Sequence, residues 1–114
     1  TAASGATIVN DAYNANPTSM RAALDALVAM RADRHVAVLG LMAEIEDPEP
    51  THRSIARYAH ELGIELIAVG TALYGIEPTD DVRSAIGDID SDVAVLVKAS
   101  RAAGLERVVV TLTG

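Results

Sequence analysis

The strongest constraint on this chain is a set of short apolar runs with no polar alternation. Val36-Ala37-Val38-Leu39 and Val93-Ala94-Val95-Leu96-Val97 are continuous, and Leu66-Ile67-Ala68-Val69 repeats the pattern. A strand that is apolar at every position is buried on both faces. Strands are therefore predicted over Ala6–Asp11, His35–Leu39, Glu65–Val69 and Val93–Val97. Between them the apolar spacing changes to three and four. Met20, Leu24, Leu27 and Val28 mark a helix over Thr18–Ala32, and Ile55, Tyr58, Ala59 and Leu62 mark another that starts near Thr51. Gly63 is placed to stop the second helix. Strands alternating with helices specify an α/β fold, a Rossmann-like three-layer domain with a mostly parallel sheet and helices on both faces.

The remaining segments are less regular. Leu41–Pro50 reads as a loop rich in acids and prolines, Thr71–Asp81 as irregular, and Asp81–Ile86 as a short helix. Near the end, Val108-Val109-Val110-Thr111 has strand propensity. Leu105, Val108, Val109 and Leu112 have helical spacing, and a helix is the expectation there.

With 114 residues, half of them hydrophobic, the chain is sized for one domain with one core. Phe, Trp and Cys are absent, so Leu, Ile, Val, Ala and Met must build that core and no disulfide can staple it. The net charge of −7 argues against a nucleic-acid partner. No apolar run approaches a membrane span, and no signal peptide is visible. The first residue is Thr1 rather than Met, so a fragment of a longer protein is expected.

In a parallel sheet, ligands bind outside the carboxyl ends of the strands. Those ends are Asn10-Asp11, Gly40, Gly70 and Lys98-Ala99-Ser100-Arg101. The glycines allow close approach of backbone or ligand. The first end opens a polar turn, Asn10-Asp11-Ala12-Tyr13-Asn14-Ala15-Asn16, before Pro17. Asn16 reads as a helix N-cap with Pro17 at the first helical position. So many directed donors and acceptors on one loop also suit a ligand. Lys98 is the only lysine, and it reads equally as a solubilising charge or a binding group; Arg101 could fork onto a carboxylate.

The three histidines, His35, His52 and His60, have no metal-ligand spacing, and His52 is placed to tie the acidic loop to its helix. Glu44, Glu46, Asp47 and Glu49 lack the regular spacing of a calcium loop. There is no Gly-x-x-x-x-Gly-Lys-Ser/Thr phosphate loop, no Gly-x-Gly-x-x-Gly fingerprint, and no Ser-His-Asp or Cys-His set.

Three segments carry a family resemblance. Asp11 to Leu24, Asp-Ala-Tyr-Asn-Ala-Asn-Pro-Thr-Ser-Met-Arg-Ala-Ala-Leu, resembles the opening of the C-terminal domain of the Mur ligases. The pattern is nearest the branch that adds D-alanyl-D-alanine to UDP-N-acetylmuramoyl (UDP-MurNAc) tripeptide in peptidoglycan synthesis. Gly40-Leu41-Met42-Ala43-Glu44-Ile45 followed by His52 is similar to a Gly-acid-Met-x-Glu-Leu pattern followed by histidine. Leu41 stands where the family has an acid and Glu46 where it has glycine. Val97-Lys98-Ala99-Ser100-Arg101 resembles the family's Lys-Gly-Ser-Arg segment, with Ala99 for glycine.

The resemblance implies a bacterial, cytoplasmic, ATP-dependent amide ligase. This chain would be its C-terminal domain, without the N-terminal domain or the central ATPase domain that carries the phosphate loop. ATP and Mg2+ would serve the full-length enzyme, and neither would be bound by this domain alone. The domain would hold no catalytic residue by itself and would close over the central domain. Asp11 would hold the ATP ribose. Asn14, Asn16, Lys98, Ser100 and Arg101 would face the incoming D-Ala-D-Ala and the reacting groups of UDP-MurNAc-tripeptide. The alternatives are a sister Mur or folylpolyglutamate-type ligase domain and a stand-alone, non-catalytic α/β binding module. A phospho-receiver domain fits poorly, since the middle strands end in Gly40 and Gly70 rather than an acceptor Asp.

Overall fold

A computed structural model describes residues 7–11, 17–42, 46–79, 81–87 and 93–98, the first of these segments by its backbone. The elements in order are β1 (Thr7–Asp11), α1 (Pro17–Ala29), β2 (Arg34–Leu39), α2 (Pro48–Glu61), β3 (Glu65–Ala68), α3 (Val82–Ile86) and β4 (Val93–Lys98). The strands form one sheet in the order β1-β4-β2-β3, and every neighbouring pair is parallel. The expected α/β class is therefore observed. The helix expected near the C-terminus lies outside the described residues, as do Asn14, Asn16, Ala99, Ser100 and Arg101.

The apolar runs fill both faces of the two central strands. Ala37, Leu39, Ala94 and Leu96 belong to one buried cluster with Met20, Leu24 and Leu27 of α1 and Ile55 and Ala59 of α2. Val36, Val38, Val95 and Val97, the alternate residues, are buried on the other side. The connections through α1 and α2 run along the sheet in one direction, and the connection from β3 to β4 returns. Right-handed crossovers then put α1 and α2 on one face and α3 on the opposite face. Val82 and Ile86 of α3 are buried but stand outside the α1–α2 cluster, as that placement requires.

Three boundaries differ from the sequence reading, each for a local reason. Helix α1 stops at Ala29 instead of Ala32, because the His35 ring Nε2–H donates to the Met30 carbonyl (2.7 Å) where a further helical turn would have bonded it. Helix α2 starts at Pro48, not Thr51. Pro48 and Pro50 occupy the first turn, where helical N–H groups have no intrahelical acceptor and a proline loses nothing. Strand β4 runs one residue further and includes Lys98.

Gly63 ends α2 as expected, and the geometry is a Schellman motif. Its N–H donates to the His60 carbonyl and that of Ile64 to the Ala59 carbonyl, both at 3.0 Å, with Gly63 at φ 77°. Asp81 begins α3: its carboxylate accepts the Ser84 N–H (3.1 Å) and hydroxyl (2.8 Å). Those two bonds hold the Asp81 carboxyl below its ordinary range.

Candidate functional site at the carboxyl rim of the sheet

Parallel strands all end on the same edge, and the register aligns these ends. Asp11 pairs with Lys98, Lys98 with Leu39, and Leu39 with Ala68. Adjacent strands lie about 4.8 Å apart, so Asp11 and Lys98 are immediate neighbours on one lip. The pairing continues one step past the strands: Gly40 N–H donates to the Lys98 carbonyl and Val69 N–H to the Leu39 carbonyl, both at 3.0 Å.

Lys98 is only 2% exposed. That removes the solubilising-charge reading of this residue. Strand periodicity puts it on the same face as Ala94 and Leu96, the face covered by α1 and α2.

Behind the lip lies a buried polar chain. Tyr74, from the segment after β3, donates its hydroxyl to the Gly40 carbonyl (2.7 Å). Its ring meets His52 of α2 edge-on, with centroids 4.8 Å apart and planes at 72°. His52 is completely buried. Its Nε2 accepts the Met42 N–H at 2.9 Å, and its Nδ1–H donates to the Pro48 carbonyl. Only the neutral imidazole protonated on Nδ1 satisfies both bonds. Burial pushes the His52 pKa down, against a smaller upward pull from the Pro48 carbonyl. Burial pushes the Tyr74 phenol up. His52 thus ties the loop to its helix, as the sequence suggested. Tyr74 was not singled out, because it lies in a segment without periodicity; its one signal was being among three aromatic residues in the whole chain.

A shallow cleft of about 300 Å3 lies where α1 and α2 begin, lined by Pro17, Arg21, Asp47, Pro50, Thr51 and Ser54. Arg21 crosses between the helices to donate to the Ser54 hydroxyl at 2.9 Å. Below it Tyr58 donates to the Asp25 carboxylate, and that bond is the main reason the Tyr58 phenol titrates above its ordinary range. Leu41, where the family pattern has an acid, is 36% exposed on the same rim.

Of the residues expected to bind ligand, Asp11 and Lys98 are brought together by strand register, while Asn14, Asn16, Ser100 and Arg101 lie outside the described residues. Among the described residues no three His, Asp or Glu side chains converge as a metal ion requires, and no helix is long and apolar enough to cross a membrane.

The family model described as "Mur ligase, glutamate ligase domain" matches residues 1–113. The UDP-N-acetylmuramoyl-tripeptide–D-alanyl-D-alanine ligase of Mycobacterium tuberculosis is 40% identical over an alignment covering 89% of this chain and 27% of that protein. The ligase of the same name from Mycobacterium leprae is 34% identical over all of this chain and 29% of its own length. That from Escherichia coli is 32% identical over 90% of this chain and 26% of its length. This chain thus spans under a third of these relatives. In structure it is similar to the MurF ligase of Thermotoga maritima, solved in complex with ADP, with a TM-score of 0.73 over 96% of this chain and 28% of that one at 23% identity. By a match that runs almost from end to end, the chain belongs to the Mur ligase family, in its glutamate ligase domain.

Proposed function

We propose that this chain is the C-terminal, closing domain of an ATP-dependent amide ligase that joins D-Ala-D-Ala to UDP-MurNAc-tripeptide in the bacterial cytoplasm. The reading rests on the family and on relatives that carry this name. The observation that carries it furthest is the pairing of Asp11 with Lys98 at the carboxyl ends of adjacent parallel strands. An acid and a cation on one lip suit a ligand with hydroxyls at one end and negative charge at the other.

In the reaction the tripeptide carboxylate takes the γ-phosphoryl group of ATP, leaving ADP. The dipeptide amine then attacks the acyl phosphate, phosphate departs, and the amine proton is lost to a base or water. The central domain would hold the triphosphate with Mg2+, and no step is assigned to a metal on this chain. This domain would position and enclose. The Asp11 carboxylate can accept hydrogen bonds from two vicinal ribose hydroxyls. Lys98, Ser100 and Arg101 would offset the dipeptide carboxylate, and Asn14 and Asn16 would orient the reacting groups. Such catalysis depends on geometry, charge stabilisation and closure of the site.

The test is a pair of variants in the full-length ligase. Asp11→Ala should raise the KM for ATP about 10- to 100-fold, the loss of hydrogen bonds to a charged group. Lys98→Ala should weaken dipeptide use more than ATP use. Unchanged ATP kinetics would remove the ribose role, and equal losses for both substrates would reject the division of labour.

A further inference from the structure

We propose that His52 is a positioning residue for this rim: its unprotonated Nε2 holds the Gly40–Met42 backbone against the end of β4, and so fixes the lip that carries Lys98. The functional side of this inference rests on the ligase reading above.

The argument starts from a segment two residues long with an anchor at each end. At one end Gly40 N–H bonds the Lys98 carbonyl, and its own carbonyl takes the Tyr74 hydroxyl. At the other end Met42 N–H bonds His52 Nε2. The Met42 side chain is buried, as is Gly40, while Leu41 between them is turned outward. A backbone N–H buried without an acceptor is costly, and here the acceptor is a side chain from α2 instead of a neighbouring strand. The segment past β2 has therefore left the sheet ladder and is held in place by one imidazole.

The imidazole can do this only without a proton on Nε2. A second proton would set two N–H groups against each other across the 2.9 Å contact. Its surroundings do not favour that proton. Buried on this face are Tyr74, from the segment after β3, and Lys98 of β4, a phenol and an amine that cannot stabilise an imidazolium. On α1, Arg21 and Asp25 are exposed and bonded to Ser54 and Tyr58. On α2 itself, Glu49 and Arg53 pair with each other in solvent at 3.7 Å, and Glu46 and Asp47 of the preceding loop are exposed. No carboxylate is buried with the ring among the described residues.

Three substitutions separate the acceptor from the bulk. In His52→Gln the side chain can still offer an oxygen at the Nε2 position. His52→Asn can reach only the Nδ1 position, and His52→Leu offers neither. In the 114-residue chain, hydrogen exchange of the Met42 amide should quicken about 10-fold in the Asn and Leu variants and much less in Gln, with the β2 amides unchanged. In the full-length ligase, the Asn and Leu variants should raise the KM for D-Ala-D-Ala about 10-fold with a smaller change in kcat, and Gln should restore it. In the unsubstituted chain, Met42 protection should fall as pH drops below about 6.5 while β2 protection holds.

Met42 protection that survives in the Asn variant, or is lost in Gln as fully as in Leu, overturns the proposal. Should the Asn and Leu variants not fold, a protection factor constant from pH 8 to pH 5 does the same. The exchange measurements need no ligation, so a full-length protein that fails to use D-Ala-D-Ala would sink the ligase reading and leave the clamp to be judged on its own.

Discussion

The two edges of the sheet are closed in opposite ways. At the amino edge, the guanidinium of Arg34 forks onto Glu65 with two bonds of 2.8 Å and reaches the Ile86 carbonyl at 2.9 Å, joining β2, β3 and α3. Gly63 turns the chain from α2 into β3 on that same edge. These contacts lie at the surface; the Glu65 side chain is half exposed. At the carboxyl edge, Tyr74, His52, Gly40, Met42 and Lys98 are all buried. A charged staple in water is cheap to make and to lose. A buried polar chain is stable only when every member is satisfied. The edge that would meet a ligand is thus the one whose backbone is most tightly specified.

That contrast is broken most directly at Tyr74. Tyr74→Phe keeps the ring on His52 and removes the donor to the buried Gly40 carbonyl. The expected cost is about 1–3 kcal/mol, seen as a lower urea midpoint. The phenol also gives a sign. Its pKa is raised in the folded state, so its contribution is complete below pH 10 and declines as pH climbs past that point, where the unfolded chain ionises first. The Phe variant should lack that alkaline decline. A neutral substitution would mean that the buried chain contributes nothing and the two edges are alike.

Next in size is Gly63→Ala at the opposite edge. A Cβ there would meet nothing within 4 Å, so the penalty is purely conformational, from a φ of +77°. About 1–2 kcal/mol is expected. The rim should be untouched, and Met42 exchange should match the parent chain. A change in Met42 protection would show that the edges are coupled through α2, whose first turn holds His52.

The sheet was legible because its evidence is repeated. Each apolar run names a strand, and aligned parallel strands necessarily bring Asp11 and Lys98 to one edge. The start of α2 was hidden for a chemical reason: Asp47-Pro48-Glu49-Pro50 has the composition of a loop, yet prolines fit a first helical turn. Tyr74 was hidden because its role is a single long-range bond across 34 residues, and such a bond leaves no periodic trace. Lys98 could be singled out by being the only lysine, but its burial depends on what packs over β4, which residue type alone argues against. His52 stood between these cases. Its spacing behind the loop suggested a tie, and only the coordinates show which ring nitrogen makes it.

The smallest effect belongs to the staple itself. The Arg34 guanidinium holds the Glu65 carboxyl below its ordinary range, chiefly by hydrogen bonding and against a weaker opposing effect of burial. A depressed carboxyl stabilises the folded state above the unfolded value, near pH 4.5, and that contribution is lost as pH falls through the folded value. Glu65→Gln should therefore cost at most about 1 kcal/mol at neutral pH, because both side chains are solvated. The cost should shrink in high salt, where exposed charges are screened. Part of the acid-limb loss of stability in the parent chain should disappear in the variant. Tyr74→Phe, by contrast, should cost the same at low and high salt, since no ionised group takes part. A Glu65→Gln penalty that exceeds that of Tyr74→Phe, or one that ignores salt, would reverse the ranking of the two edges and make the surface fork the stronger fastening.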